Sequence, residues 1–154
     1  MTIRRKMAAV LATLIAAIAT PALADDLLLS KGSATDLIQS DVGKPFWQME
    51  AQCAGMFGAG YAYYMGRHNK AEAERARDQG IAMLNEAVAR LELDRGMDQP
   101  TALNLAAEDV ETGRASAKAN LDADGAGPRS GYNIFRSACF DISDAQRRQS
   151  GNRR

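Results

Sequence analysis

Hydrophobic residues recur at helical spacing in four stretches of this chain, and no stretch alternates apolar and polar residues as a strand does. The pattern predicts helices over about 45–66, 70–94, 100–121 and 130–148. Four amphipathic helices with short links favour an antiparallel bundle. We therefore predict an all-α fold, an antiparallel four-helix bundle over 45–148.

Residues suited to helix ends lie at the boundaries of these stretches. Pro45 and Pro100 are placed at first helical positions, where a proline costs no hydrogen bond. Asn69 precedes Glu72 by three residues, which is typical of a capping pair, and Gly96 follows the second stretch. These residues predict where the first three helices begin or end.

The first helix is apolar nearly all round. One face carries Phe46, Met49, Cys53, Met56, Gly60 and Tyr64. Glu50 is the only charged residue in the stretch, so we expect the helix in the middle of the fold. Gly55, Gly58 and Gly60 each cost about 1 kcal/mol of helix stability relative to Ala. Such a cost predicts a close approach by a neighbouring helix.

The other three helices each show one apolar face. The predicted inward residues are Ile81, Leu84, Val88 and Leu91 of the second helix, Leu103, Ala106, Val110, Gly113, Ala117 and Leu121 of the third, and Phe135, Ala138, Cys139, Ile142 and Ala145 of the fourth. Residues 25–44 have no sustained period, which predicts an irregular N-terminal arm with a helical turn over 36–40. Residues 149–154 are predicted to form a flexible basic tail.

Residues 1–24 have the pattern of a secretory signal peptide. Arg4, Arg5 and Lys6 precede an apolar run over 7–19, and Ala22-Leu23-Ala24 supplies a cleavage site. The run is too short for a comfortable membrane span. We predict a general secretory route to the periplasm or the medium, with no transmembrane segment after leader removal.

Charge and length limit the classes of function. Removing the leader removes three bases and leaves 16 bases against 19 acids, a net charge near −3. That balance excludes a generally basic nucleic-acid binder. The remaining chain of about 130 residues suits a single domain with its own core.

Two cysteines in an exported protein favour one disulfide. Cys53 falls in the first helix and Cys139 in the fourth, which are neighbours in the predicted bundle. The alternative is two free, buried thiols. The chain has no C-x-x-C motif for redox chemistry.

Catalytic signals are weak, and we predict neither an enzyme nor a cofactor. His68 is the only histidine, and the chain contains neither G-x-S-x-G nor H-E-x-x-H. Its simplest interpretation is a helix C-terminal residue that the dipole favours. Glu50 could be a buried general acid, although a position in the first turn of its helix explains an acid equally well.

One segment resembles half of a calcium loop. Asn120, Asp122 and Asp124 alternate as oxygen ligands do in an EF-hand, and Gly125 follows them. The position of the bidentate Glu is taken by Gly131. We therefore assign no metal and keep these three residues as a weak calcium candidate beside the simpler interpretation, a turn.

Aromatic residues are concentrated in the first helix, which holds six of the nine in the chain. Tyr and Trp are favoured at interfaces because each combines a large apolar area with a polar tip. The candidate binding patch comprises Trp47, Tyr61, Tyr63, Tyr64 and His68. The alternative is a core with hydroxyl groups at its rim.

These patterns predict an exported, small helical accessory or interaction protein of the bacterial envelope, non-catalytic and with a protein partner. The alternative function is a carrier with a pocket for a small apolar ligand beside the first helix. The leader, the segment Trp47-x5-Cys53-Ala-Gly and the late Cys139 resemble small exported helical proteins of Gram-negative bacteria. That resemblance implies no functional residue.

Overall fold

The computed structural model describes residues 26–151, and the predicted leader lies outside the described residues. Four long helices pack together as an antiparallel bundle, which confirms the predicted fold class. They are α1 (Phe46–Gly66), α2 (Lys70–Arg95), α3 (Gln99–Asp124) and α4 (Gly131–Gly151). Within residues 26–151, no helix is both long and apolar enough to cross a membrane.

Helix α1 occupies the centre of the bundle and packs against the other three helices. Buried residues lie on all its sides over the first four turns: Phe46, Trp47, Met49, Glu50, Ala51, Cys53, Ala54, Gly55, Met56, Phe57, Ala59 and Gly60. A helix that is apolar all round is stable only when its neighbours cover it. The predicted central position is therefore observed.

Helix α1 and helix α3 touch through their backbones. A Cβ placed on Gly55 would lie 1.8 Å from the Val110 carbonyl oxygen, and one on Gly113 would lie 1.9 Å from that of Gln52. No other residue fits at either position without separating the helices. This contact accounts for the Gly55 that the sequence places inside a helix.

Side-chain caps fix the starts of α2 and α3, but α1 has none. The predicted positions of the two prolines are each wrong by one residue, because Pro45 precedes α1 as its N-cap residue and Pro100 is the second residue of α3. The Asn69 side chain accepts the Glu72 N–H at 3.3 Å, and the Asp98 side chain accepts the Thr101 N–H at 3.0 Å. Gly96 closes α2 with a φ of 62°, in the left-handed region that favours glycine.

The core of α2 and α3 consists largely of alanine, which corrects two predicted positions. Ile81 is 53% exposed and Leu103 is 41% exposed, although both were expected to face inward. The predicted Ala106 and Ala117 are buried, and Ala73, Ala76, Ala87 and Ala102, which were not predicted, are buried as well. Short side chains let both helices approach α1 closely, and the larger aliphatic residues then lie at the edges of the contact.

The N-terminal arm lies on the bundle. Leu27, Leu29 and Ile38 are buried in the main core. The Leu27 N–H donates to the Asp94 carboxylate at 2.8 Å, which ties the arm to α2. The helical turn expected over 36–40 is a short 3-10 helix, Asp36–Asp41, and a second one spans Lys31–Ser33.

Helix α4 extends to Gly151, so residues 149–151 belong to the helix rather than to the predicted flexible tail. The Gln149 amide oxygen accepts the Ser30 N–H at 3.0 Å, and its nitrogen donates to the Leu28 carbonyl at 2.9 Å. These bonds satisfy backbone groups of the arm and hold the last turn of α4 against it. Residues 152–154 of the predicted tail lie outside the described residues.

One disulfide joins α1 to α4. Cys53 and Cys139 are bonded, their Cα atoms are 5.6 Å apart, and both side chains are buried. The predicted bridge is confirmed, and the alternative of two free thiols is wrong.

Candidate functional site

Helices α2 and α3 pack against each other close to the loop that connects them. A separate core cluster forms there from Trp47, Ala51, Ala87, Val88, Leu91, Ala102 and Ala106. Farther from this loop, residues of α1 line a depression that has α2 on one side and α3 on the other. The second half of α1 is therefore only partly covered.

A cleft of about 600 Å³ opens beside this half of α1, on the side of α3. We call it the α1 cleft. Its lining residues are Gly58, Ala59, Tyr61, Ala62, Tyr63, Gly66, Arg67, Arg114, Lys118, Leu121 and Asp122. Small residues of α1 form the floor, and tyrosine rings and Leu121 form the apolar walls.

The Tyr63 side chain is held in place at one end of the α1 cleft. Its ring meets Tyr64 edge to face with centroids 5.5 Å apart, and the Arg67 guanidinium lies 3.6 Å from its ring centre. Its hydroxyl lies against Gly125, where a Cβ would come within 2.8 Å. Contacts on three sides therefore fix the orientation of the ring.

Three cationic side chains line the α1 cleft, and we call Arg67, Arg114 and Lys118 the cationic rim. The Arg114 guanidinium is 3.1 Å from Glu111, and the Lys118 ammonium is 2.5 Å from Asp122. Both ion pairs are exposed, so each contributes little stability. Within residues 26–151, Arg67 forms no ion pair.

The structure brings two residues of the predicted patch to the cleft. Tyr61, which is 38% exposed, and Tyr63 both line it. Tyr64 points away and packs edge to face against Tyr132, with centroids 6.5 Å apart. Tyr64 therefore does not share the direction of Tyr61 and Tyr63.

Trp47 and His68 are not brought to the cleft. Trp47 is buried near the start of α1, where its indole N–H donates to Asp26 at 3.3 Å and Arg95 covers its ring. His68 is exposed just beyond α1, with a φ of 56°. The five residues of the patch thus do not form one surface.

The calcium candidate lies on a helix and not in a loop. Asn120, Asp122 and Asp124 belong to the last turns of α3, where residues two apart point in different directions. The Asp122 carboxylate is bonded to Lys118. Residues 26–151 contain no group of three or more acidic, histidine or cysteine side chains arranged to hold a metal ion.

Glu50 is completely buried in a polar cluster between α1, α2 and α4. The Gln146 amide group lies against both Glu50 carboxyl oxygens, 2.8 Å from Oε2. The Ser143 hydroxyl donates to the Glu86 carboxylate at 2.8 Å, and the charge of Glu86 acts on Glu50. Burial, and next the negative charge of Glu86, raise the pKa of Glu50 to about 9.

This carboxyl group does not lie where a substrate could reach it. Glu50 does not line the α1 cleft. Because α1 begins at Phe46, Glu50 also lies beyond the first turn, so the helix dipole does not account for it. Burial and the neighbouring charge of Glu86, which raise its pKa to about 9, make Glu50 a protonated group of the core at pH 7.

We expect Glu50 to make stability depend on pH. The pKa in the unfolded chain is near 4.5, and in the folded protein it is about 9, despite the opposing charges of Arg90 and Arg147. The contribution of the protonated Glu50 to the free energy of unfolding is fully present below about pH 4.5. It is lost as the pH rises towards about 9, and the free energy of unfolding then falls by up to about 1.4 kcal/mol per pH unit. Urea unfolding at about pH 5, 7 and 8 should show this slope in the wild type and a weaker one in Glu50→Gln.

The matched control for this slope is Glu92→Gln, which removes an exposed acid from α2. That variant should keep the slope of the wild type. Equal slopes in the wild type and Glu50→Gln would contradict the assignment.

The cationic rim is the part of the site that sequence reasoning missed. Arg114 and Lys118 are four residues apart and therefore share a face of α3, which is a signal that the sequence contains. Nothing in the sequence shows that this face borders the open side of α1. No protein-family model, curated protein or solved structure matches this chain.

Proposed function

We propose that this protein is an exported, non-catalytic carrier that holds a small apolar molecule in the α1 cleft. The observation that carries the proposal is the cleft itself, whose floor and walls are mainly apolar and whose volume suits a small ligand. The disulfide and the leader-like N-terminal pattern support export, because disulfides persist in oxidising compartments.

Two glycines of α1 leave the floor of the cleft open. A Cβ on Gly58 would make only ordinary contact with the Arg114 guanidinium, at 3.6 Å, and one on Gly66 would meet nothing within 4 Å. Packing between helices therefore does not require glycine at either position, in contrast with Gly55. Each glycine costs up to about 1 kcal/mol of helix stability relative to Ala. An open apolar floor for a ligand accounts for both.

Filling the cleft should abolish binding without unfolding the protein. Ala62 is exposed and lines the cleft, so a Trp in its place occupies the ligand volume but disturbs no buried contact. We expect calorimetric titration with 1-octanol to show saturable binding to the wild type and at least tenfold weaker binding to Ala62→Trp.

The matched control is Ala107→Trp, an equal change at an exposed position of α3 outside the cleft. It should bind 1-octanol as the wild type does, and both variants should unfold near the wild-type temperature. If Ala62→Trp and Ala107→Trp bind 1-octanol equally well, the cleft is not the site.

A second candidate function is the envelope interaction protein that the sequence predicts. Exposed apolar side chains favour it, because Ile81 of α2 and Met65 of α1 are 53% and 46% exposed on either side of Tyr61. A protein partner would bury these residues, whereas the ligand needs only the cleft. Replacing Ile81 by Asp should then weaken the association of this protein with its protein partner, measured in a dilution series of the complex. The same variant should bind 1-octanol as the wild type does.

A further inference from the structure

We infer that the molecule held in the α1 cleft is a single-chain alkyl carboxylate, with its carboxylate against the cationic rim and its chain along α1. This inference rests on the proposed function, since it names the class of ligand for the same cleft. The observation behind this inference is the contrast between the apolar floor of the cleft and its cationic rim.

The net charge of the residues around the α1 cleft favours a ligand with a single negative charge. Arg114 is paired with Glu111 and Lys118 with Asp122, so over the whole cleft one positive charge is in excess, and Arg67 carries it. An alkyl carboxylate balances that excess, whereas an alkylammonium would add to it. Charge complementarity of this kind selects among ligands with the same apolar part.

Arg114 and Lys118 are placed to bind the carboxylate. They lie one turn apart on α3, so their Cβ atoms are about 5–6 Å apart and both side chains can reach one headgroup. Their present partners, Glu111 and Asp122, form exposed pairs that are easily exchanged. A ligand carboxylate would make charged hydrogen bonds of the same kind as these pairs, so the exchange of partners costs little.

The length of the floor sets the length of the chain. The cleft follows α1 from Gly58 to Gly66, which is about 12 Å at the helical rise per residue. An extended alkyl chain of about eight to ten carbons has a similar length.

Three eight-carbon probes separate the charge of the ligand from its apolar part: octanoate, 1-octanol and octyltrimethylammonium. We expect calorimetric titration at low salt to show octanoate binding at least tenfold more tightly than 1-octanol, and octyltrimethylammonium binding most weakly. The preference for octanoate over 1-octanol should decrease as salt is added.

Two double variants test the rim. Arg114→Gln/Lys118→Gln should lose the preference for octanoate and keep the affinity for 1-octanol. The control Lys31→Gln/Lys44→Gln removes the same charge from exposed positions of the arm and its junction with α1, and it should behave as the wild type. Equal binding of octanoate and 1-octanol to the wild type would overturn this inference and leave the proposed function intact. Binding of none of the three probes would overturn both.

Discussion

Removing the disulfide should cost about 4–5 kcal/mol of unfolding free energy. The bond between Cys53 and Cys139 closes a loop with a sequence separation of 86 residues, so it restricts the unfolded chain strongly. It also joins the central helix α1 to α4, which otherwise contacts α1 less extensively than α2 and α3 do. Urea unfolding of Cys53→Ser/Cys139→Ser beside the oxidised wild type measures the difference.

Reductant provides the control for this effect. Reduced wild type should unfold near the double variant, because both lack the cross-link, and the double variant itself should not respond to reductant. Equal unfolding midpoints for the oxidised wild type and the double variant would show that the bridge contributes nothing to stability.

A second large loss, about 3 kcal/mol, is expected for Gly113→Ala. The added methyl group would lie 1.9 Å from the Gln52 carbonyl oxygen, and a backbone atom cannot turn aside as a flexible side chain can. Helices α1 and α3 must therefore separate over this contact, with the strain of an overpacked core. Unfolding in urea, with the disulfide intact, gives the magnitude.

Gly66→Ala is the matched control for this substitution. No atom lies within 4 Å of the Cβ it would add, so Ala should leave stability unchanged or raise it by up to about 1 kcal/mol. A Gly113→Ala protein as stable as Gly66→Ala would contradict the backbone contact between α1 and α3.

Helix ends and the disulfide were predictable because local signals determine them. Asn69 and Gly96 act through a hydrogen bond or a backbone conformation that spans only a few residues. Cys53 and Cys139 were the only cysteines, so no alternative pairing existed. The apolar character of α1 likewise predicted its central position, whatever the order of its neighbours.

The faces of α2 and α3 were less predictable because their core is built from alanine. Ile81 and Leu103 carry the strongest apolar signal in their regions, yet both are substantially exposed. Ala87 and Ala102 are fully buried, but alanine gives little periodic contrast against polar neighbours. Close packing against α1, which the glycines of α1 do indicate, is the reason that small residues lie inside.

The cleft depends on tertiary geometry that no local pattern shows. Its place beside the first helix was anticipated as one alternative, on the evidence of glycines and tyrosines. Its cations could not be assigned, because Arg114 and Lys118 reach α1 only through the way α3 packs on it. Trp47 was misplaced for a similar reason, since the arm and α2 cover the start of α1.

The most direct test of the α1 cleft is a nuclear Overhauser measurement on the protein with bound 1-octanol, which does not depend on the charge of the ligand. We expect contacts from the alkyl protons to the ring protons of Tyr61 and Tyr63 and to the methyl groups of Leu121. Contacts to other surfaces, or none at saturating 1-octanol, would contradict the assignment of this cleft as the ligand site.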